Sequence, residues 1–345
     1  MKIAVVILNW NGKSFLEMFL SGVVKHTAAV AEVIIADNNS SDVSVEWLKE
    51  HFPDVKIIQN AVNGGFAKGY NDALAQVDAD YYILLNSDIE VTENWIMPVI
   101  NLMQQHSEIA ACQPKILAYD DKERFEYAGA AGGFIDYYGY PFCRGRVFLE
   151  IEYDIGQYDQ SCEVFWATGA CLFIKAELFH AAGGFDEDFF AHMEEIDLCW
   201  RLKRMGYAIY YCADATVFHV GGGTLPKRSA KKTYLNFRNN LILLYKNLPR
   251  KRIYPVFFFR TILDGVAALK FLVSAGFADF VAVFKAHLHF YMNLRRDKGK
   301  RNSLSNYHVS GIYKGNLVFQ HYIKGVKTFS QLKRSKFTST GSKTQ

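Results

Sequence analysis

The sequence predicts an α/β protein: a doubly wound, mostly parallel sheet with helices on both faces, followed by a helical extension. Three observations predict it. Short unbroken apolar runs alternate with amphipathic spans, the pattern of strands buried on both faces and joined by crossover helices. Each of the first four runs ends in polar residues, Asn and Asp above all. Beyond residue 249 the composition shifts to long apolar stretches punctuated by single charges.

The elements follow in order. IAVVIL (3–8) is a buried strand, and 14–26 its helix. EVIIAD (32–37) and a helix over 43–51 come next, then VKIIQN (55–60) with a helix over 66–77. YYILLN (81–86) is the fourth strand, 92–106 a helix, and IAACQPKIL (109–117) a fifth strand. Residues 118–160, rich in Gly, Tyr and Asp, predict an irregular excursion. CEVFWATGACLFIK (162–175) is strand-like with a break at Thr168-Gly169, and a helix opens near Glu194. Residues 207–223 give one or two strands, and 229–248 a helix. The division is a body over 1–248, a helical extension over 249–294 and a basic tail over 295–345.

Within 255–290, Arg260, Asp264, Lys270, Asp279 and Lys285 break every 18-residue window, which argues against a spanning helix. Two amphipathic helices in the membrane interface fit better, and a helical cap on the core is the alternative. The net charge of +4 hides an asymmetry: 295–345 holds 12 Lys/Arg and one acid, Asp297. An acidic body with a basic tail points to an anionic surface, membrane lipid rather than nucleic acid, since no aromatic-basic module is present. No secretory signal opens the chain, and the six cysteines show no paired spacing. Reduced core thiols in a cytoplasmic protein are expected, without a zinc site.

In a doubly wound sheet the ligand binds beyond the carboxyl ends of the strands. Those ends carry Asn9 and Asn11, then Asp37 and Asn39, then Asn63 and Gly65 with Lys68 nearby, then Asn86, Ser87 and Asp88. Each alone is an ordinary turn. Four at one edge predict one binding site. Asp37 can accept from a base N–H or a ribose hydroxyl, and Lys68 can meet phosphate. The loop is neither a P-loop nor the G-x-G-x-x-G fingerprint. Asp88 is placed to bind Mg²⁺ or Mn²⁺ on a diphosphate. His219 ends a later strand; it suits Mn²⁺, or is a satisfied core histidine.

The densest signal is GGFDEDFFAHMEEIDLCWRLKRMG (183–206). Glu194, Asp197 and Arg201 fall near one helical face and Glu195 points elsewhere. One acid is thereby separated from a group that can tie its neighbours down, as a general base requires. The competing reading is a solvated helix start, where the dipole favours acids.

Taken in order, Asn9-Trp10-Asn11, Asp37 to Asp42, Asn63-Gly64-Gly65-Phe66, Asn86-Ser87-Asp88, Thr168-Gly169-Ala170, Gly184-Phe185-Asp186 and Glu194 to Leu198 resemble glycosyltransferase family 2. The likeness is greatest to its rhamnosyltransferase-like bacterial members and covers residues 1 to about 245. It implies a GT-A fold and inverting, metal-dependent transfer from a nucleotide sugar, dTDP- or UDP-linked, to a glycan or lipid-linked glycan at the cytoplasmic face of the inner membrane. Asp37 then contacts the base, Asp88 and His219 hold a divalent cation, and Glu195 is the base, with Glu194 or Asp197 and Arg201 securing the helix start. Trp166, Thr168 and Gly169 line the sugar and acceptor side, and Arg238 resembles an arginine that reaches the phosphates. Two departures stand out: Asn86 replaces the first Asp of the DXD motif, and Glu195 stands where relatives often have Asp. The rival functions are a sugar-1-phosphate nucleotidyltransferase, which lacks support after the first strand, and a non-catalytic membrane-bound nucleotide-sugar binder.

Overall fold

The computed structural model describes residues 1–221, 229–301 and 309–339. Glycines 222 and 223 and parts of the basic tail lie outside them.

The elements are β1 (Ile3–Asn9), α1 (Lys13–Thr27), β2 (Glu32–Asp37), α2 (Ser44–His51), β3 (Lys56–Gln59), α3 (Gly65–Leu74), β4 (Tyr81–Asn86), β5 (Ile89–Val91), α4 (Met97–Gln105) and β6 (Ile109–Ala118). After them come β7 (Gly133–Asp136), β8 (Pro141–Cys143), β9 (Arg146–Val147), β10 (Glu150–Ile151), β11 (Cys162–Val164), β12 (Cys171–Lys175), α5 (Ala176–Ala181), α6 (Glu194–Arg204) and β13 (Ala208–His219). The chain closes with α7 (Ala230–Asn247), α8 (Arg250–Ser274), α9 (Phe277–Met292), α10 (Leu294–Gly299), β14 (Ile312–Tyr313) and α11 (Leu317–Tyr322).

The main sheet runs β11-β13-β6-β12-β4-β1-β2-β3, with β5 paired to β13. From β3 to β4 it is parallel, as the apolar runs predict. Strand β12 then enters antiparallel to both β4 and β6. No crossover helix precedes it, and parallel pairing needs such a crossover. The sheet is therefore mixed. Asn9 pairs with Asp37, and Leu8 with Asn86, so the polar strand ends share one edge.

Two expectations change. Residues 118–160 are not wholly irregular: β7 to β10 form short strands of a second sheet, ordered β10-β9-β8-β7-β14. Residues 309–339 are not a free tail. Strand β14 pairs parallel with β7, and Phe329 and Phe337 pack on Phe134 with ring centroids 4.9 and 5.3 Å away. Buried Asp136 fixes that return by accepting from Tyr138 N, Tyr140 N and Leu317 N at 2.8–2.9 Å. Charge counting missed this because the aromatic anchors are few and far apart in sequence. All six cysteines are free thiols.

Helices α8 and α9 pack on each other and α9 packs on α7. No helix among the described residues is long and apolar enough to cross a membrane.

Candidate active site

The strand ends form a wired rim. Asn9, fully buried, donates through Nδ2 to Asp37 Oδ1 (3.1 Å), Ser40 Oγ (3.1 Å) and Ser44 Oγ (2.9 Å). Asp37 Oδ2 accepts from Ser40 N at 3.1 Å. Asn11 Oδ1 accepts from Ser41 N at 2.7 Å, and Asn39 has a left-handed φ of 62°. Asn38 donates to Asn63 Oδ1 and Gly65 O, both at 3.0 Å, and accepts from Asn60 at 3.2 Å. Gly65 has φ 75°, and a Cβ there would stand 2.4 Å from Phe190 O. Only glycine lets the two loops meet so closely. The Phe190 carbonyl accepts from Phe66 N at 2.7 Å.

Strand β5 turns back along β13 and brings His219 beside Asp88. His219 Nε2 lies 3.1 Å from Asp88 Oδ1 and 3.4 Å from Asn86 Nδ2. Its Nδ1 lies 3.4 Å from Glu126 Oε2, within ion-pair range. Burial disfavours the charged imidazole, but Glu126 and Asp88 outweigh it and push the ring up to about 10. Burial likewise opposes ionisation of Asp88, and His219 overcomes it, holding that carboxyl below its ordinary range. Two donor atoms 3.1 Å apart match adjacent ligands of a six-coordinate ion held at about 2.1 Å. The described residues hold no group of three or more His, Cys, Asp and Glu suited to a metal, so phosphate and water oxygens must complete any shell. Glu126 places a second carboxylate 3.4 Å from the far nitrogen of the ring.

The start of α6 separates its acids. Fully buried Asp197 accepts from Arg201 Nε (2.8 Å), Lys246 Nζ (2.9 Å) and Asn247 Nδ2 (2.8 Å). Burial raises its carboxyl, yet Lys246 and Arg201 outweigh that and pull it down to about 2. Glu194 does not join them. Glu194 and half-buried Glu195 each keep an Oε2 with no hydrogen-bond partner among the described residues. Burial raises both; Glu195, opposed by main-chain amides at the helix start, is pushed up to about 7. Glu194 goes well above its ordinary range, through burial first and Glu195 second. Before them, Phe190, His192 and Met193 have left-handed φ values of 64°, 73° and 76°. His192 Nε2 is also unpartnered, and burial drives its ring down to about 4.

The strained loop is held from α7. Asn239 donates to the carbonyls of Phe189, Ala191 and His192 at 2.7–2.9 Å. Arg238 donates to Asp188 O (2.8 Å) and Phe189 O (3.0 Å), so its guanidinium is engaged with the loop. Lys68 pairs with Asp72 at 2.8 Å. Trp166 is buried, its indole donating to Phe134 O at 3.0 Å and its ring filling the space over Gly133. Thr168 N donates to Gln113 Oε1 at 2.9 Å, and Gly169 admits the Phe66 ring.

Contacts draw these loops together. The Cys199 thiol of α6 sits 4.0 Å from Ala167 O, and Ala170 O accepts from Asn86 N at 2.9 Å. Ser87 Oγ lies 3.4 Å from where a Cβ on Gly12 would stand, so the ends of β1 and β4 adjoin.

The model of glycosyl transferase family 2 matches residues 4–179. The chain belongs to glycosyl transferase family 2. This glycosyltransferase is 26% identical over 233 residues to an N-acetylglucosaminyl-diphospho-decaprenol L-rhamnosyltransferase of Mycobacterium tuberculosis, covering 62% of this chain and 75% of that one. It is 25% identical to rhamnosyltransferase WbbL of Escherichia coli, covering 64% and 83%. Two solved structures share its fold. GalNAc-T7 with UDP, GalNAc and Mn²⁺ gives a TM-score of 0.54 at 17% identity, covering 71% of this chain and about half (48%) of that one. Residues 1–349 of Staphylococcus aureus TarS with UDP-GlcNAc give 0.52 at 13%, covering 87% and 84%. The glycosyltransferase thus has a GT-A-like α/β fold.

Glu126 and His192 escaped the sequence reading. Glu126 is a lone acid in a Gly/Tyr/Asp stretch, with no spacing signal. His192 stands two residues before Glu194, and that proximity was the available clue.

Proposed function

We propose that the protein transfers a sugar, with inversion, from a dTDP- or UDP-sugar to a hydroxyl of a lipid-linked glycan. The observation that carries this is the division of labour at α6: Asp197 is saturated with cations, while half-buried Glu195 keeps Oε2 unpaired and is pushed up to about 7. Such a carboxylate takes a proton without first surrendering a hydrogen bond. Glu195 Oε2 removes the acceptor hydroxyl proton as that oxygen attacks the anomeric carbon. The bond from that carbon to the diphosphate oxygen breaks, and the nucleoside diphosphate departs from the opposite face. Glu194, raised well above its ordinary range by burial and by Glu195, holds a proton more firmly than a free carboxyl, which leaves Glu195 as the base of the pair. Asp88 and His219 would hold a divalent cation, which offsets charge on the leaving diphosphate. Asp37 at the wired rim receives the nucleoside.

Support for the acceptor class comes from the mycobacterial relative, named for a decaprenyl-diphosphate-linked sugar. From it we infer action at the cytoplasmic face of the inner membrane. The test is Glu195→Gln. Transfer should fall about 10²–10⁴-fold with nucleotide-sugar binding retained. In the parent, kcat/KM should rise with pH through about 7, because the base acts when ionised. A fully active Glu195→Gln protein would remove the base from this scheme.

A further inference from the structure

Helices α8 and α9 both turn large apolar residues outward, and α8 also buries a charged pair. On α8 the inward positions include Val256, Arg260, Asp264 and Ala268, spaced by four. Arg260 and Asp264 form a buried ion pair at 3.1 Å, joined by His287 of α9 at 3.0 Å and by the Tyr140 hydroxyl at 3.1 Å. The outward stripe of α8 is apolar: Tyr254, Phe258, Ile262, Val266, Leu269 and Val273 are 50–91% exposed. On α9, Phe284, Leu288, Tyr291 and Met292 repeat the pattern at 45–75%. Soluble helices place polar groups outward and apolar groups inward. Exposed apolar stripes on two neighbouring helices mark a surface meant to leave water.

Charge identifies what it meets. Lys270 and Lys285 stand exposed among these apolar residues. Lys270 lies 4.5 Å over the Tyr322 ring, extending the face to α11, where Phe319, Tyr322 and Ile323 are also exposed. Arg250, Lys251, Arg295 and Lys298 are exposed where α8 begins and just beyond the end of α9. The acids of this stretch are withdrawn: Asp264 and Asp297 are fully buried, and half-buried Asp279 accepts from Thr233. An apolar face that exposes cations and conceals acids complements a layer with acyl chains below and anionic phosphates above.

We propose that α8, α9 and α11 form a docking face that lies on anionic phospholipid, embedded without spanning. Neither helix is long and apolar enough to cross. Helix α7 links this face to the site: it bonds α9 through Thr233–Asp279 and Tyr234–His289, and two turns on it holds the 188–192 loop through Arg238 and Asn239. Docking so presents the base to a lipid-linked acceptor. The face itself is independent of which sugar or acceptor is used.

The test uses the full chain in flotation with vesicles of equimolar phosphatidylglycerol and phosphatidylcholine, and with phosphatidylcholine vesicles alone. Binding to the mixed vesicles is expected, at least about tenfold weaker on phosphatidylcholine and weakened by salt. Val266→Asp and Leu288→Asp should each lower vesicle binding at least about tenfold, with the melting temperature of the free protein kept because both side chains face water. Lys270→Glu with Lys285→Glu should lower binding to the anionic vesicles alone. A chain that floats with neither vesicle overturns the proposal, and so do Asp variants that float like the parent. A dimer in light scattering that Val266→Asp dissociates assigns the face to a second copy instead.

Discussion

The amino-terminal rim and the loop leading into α6 meet at the Phe66–Phe190 contact and are wired differently. On the rim, the amides of Asn9, Asn38 and Asn60 donate to neighbouring loops and hold them in place. At α6, buried Glu194 and half-buried Glu195 each keep one carboxylate oxygen unpaired. The rim uses its amide donors between loops, although Asn9 and Asn60 each keep a buried Oδ1 unpaired, whereas at α6 the unpaired atoms are carboxylate oxygens. A carboxylate oxygen buried without a donor is the costlier case, because burial then favours the protonated form.

The comparison can be broken most forcefully at Asp197, the satisfied acid inside the reactive cluster. Asp197→Ala leaves Arg201 and Lys246 with less compensation and should destabilise the protein by about 3–5 kcal/mol, read by urea unfolding. The parent carboxyl sits at about 2, below its ordinary 3.8. Its contribution is therefore present above pH 3.8 and lost as pH falls through 2; acid unfolding of the variant should lack that component. Next is Glu126, whose carboxylate faces His219 Nδ1. Glu126→Gln should weaken Mn²⁺ binding about 10–100-fold, measured by electron paramagnetic resonance without donor. Unchanged affinity would reduce Glu126 to a packing residue. The smallest effect is expected on the rim. Asn38→Ala removes bonds to Asn63 and Gly65 and should cost about 1–3 kcal/mol in thermal unfolding, with the α6 acids undisturbed.

How far the sequence foretold this depends on contact range. Strands β1, β2 and β4 were legible because burial on both faces leaves unbroken apolar runs. The Asp197–Arg201 pair was legible because a helix brings residues four apart together. Strand β14 was not: its partner β7 lies some 177 positions earlier, and two-residue strands carry no periodicity. Orientation was also hidden. Trp166 beside Thr168-Gly169 suggested a lining residue, yet its indole points into the small sheet at Phe134. Arg238 suggested a phosphate contact; the loop carbonyls that its Nη2 meets could not be foreseen. The exposed apolar stripe of α8 was visible as composition, but its inversion needed the buried Arg260–Asp264 pair.

The absent side chain at Gly65 has a mechanical consequence. Because Phe66 N and Phe190 O meet directly, the loop at the start of α3 and the loop leading into α6 share one hinge pin. Neither can swing by itself, and any methyl added at position 65 would wedge both open at once.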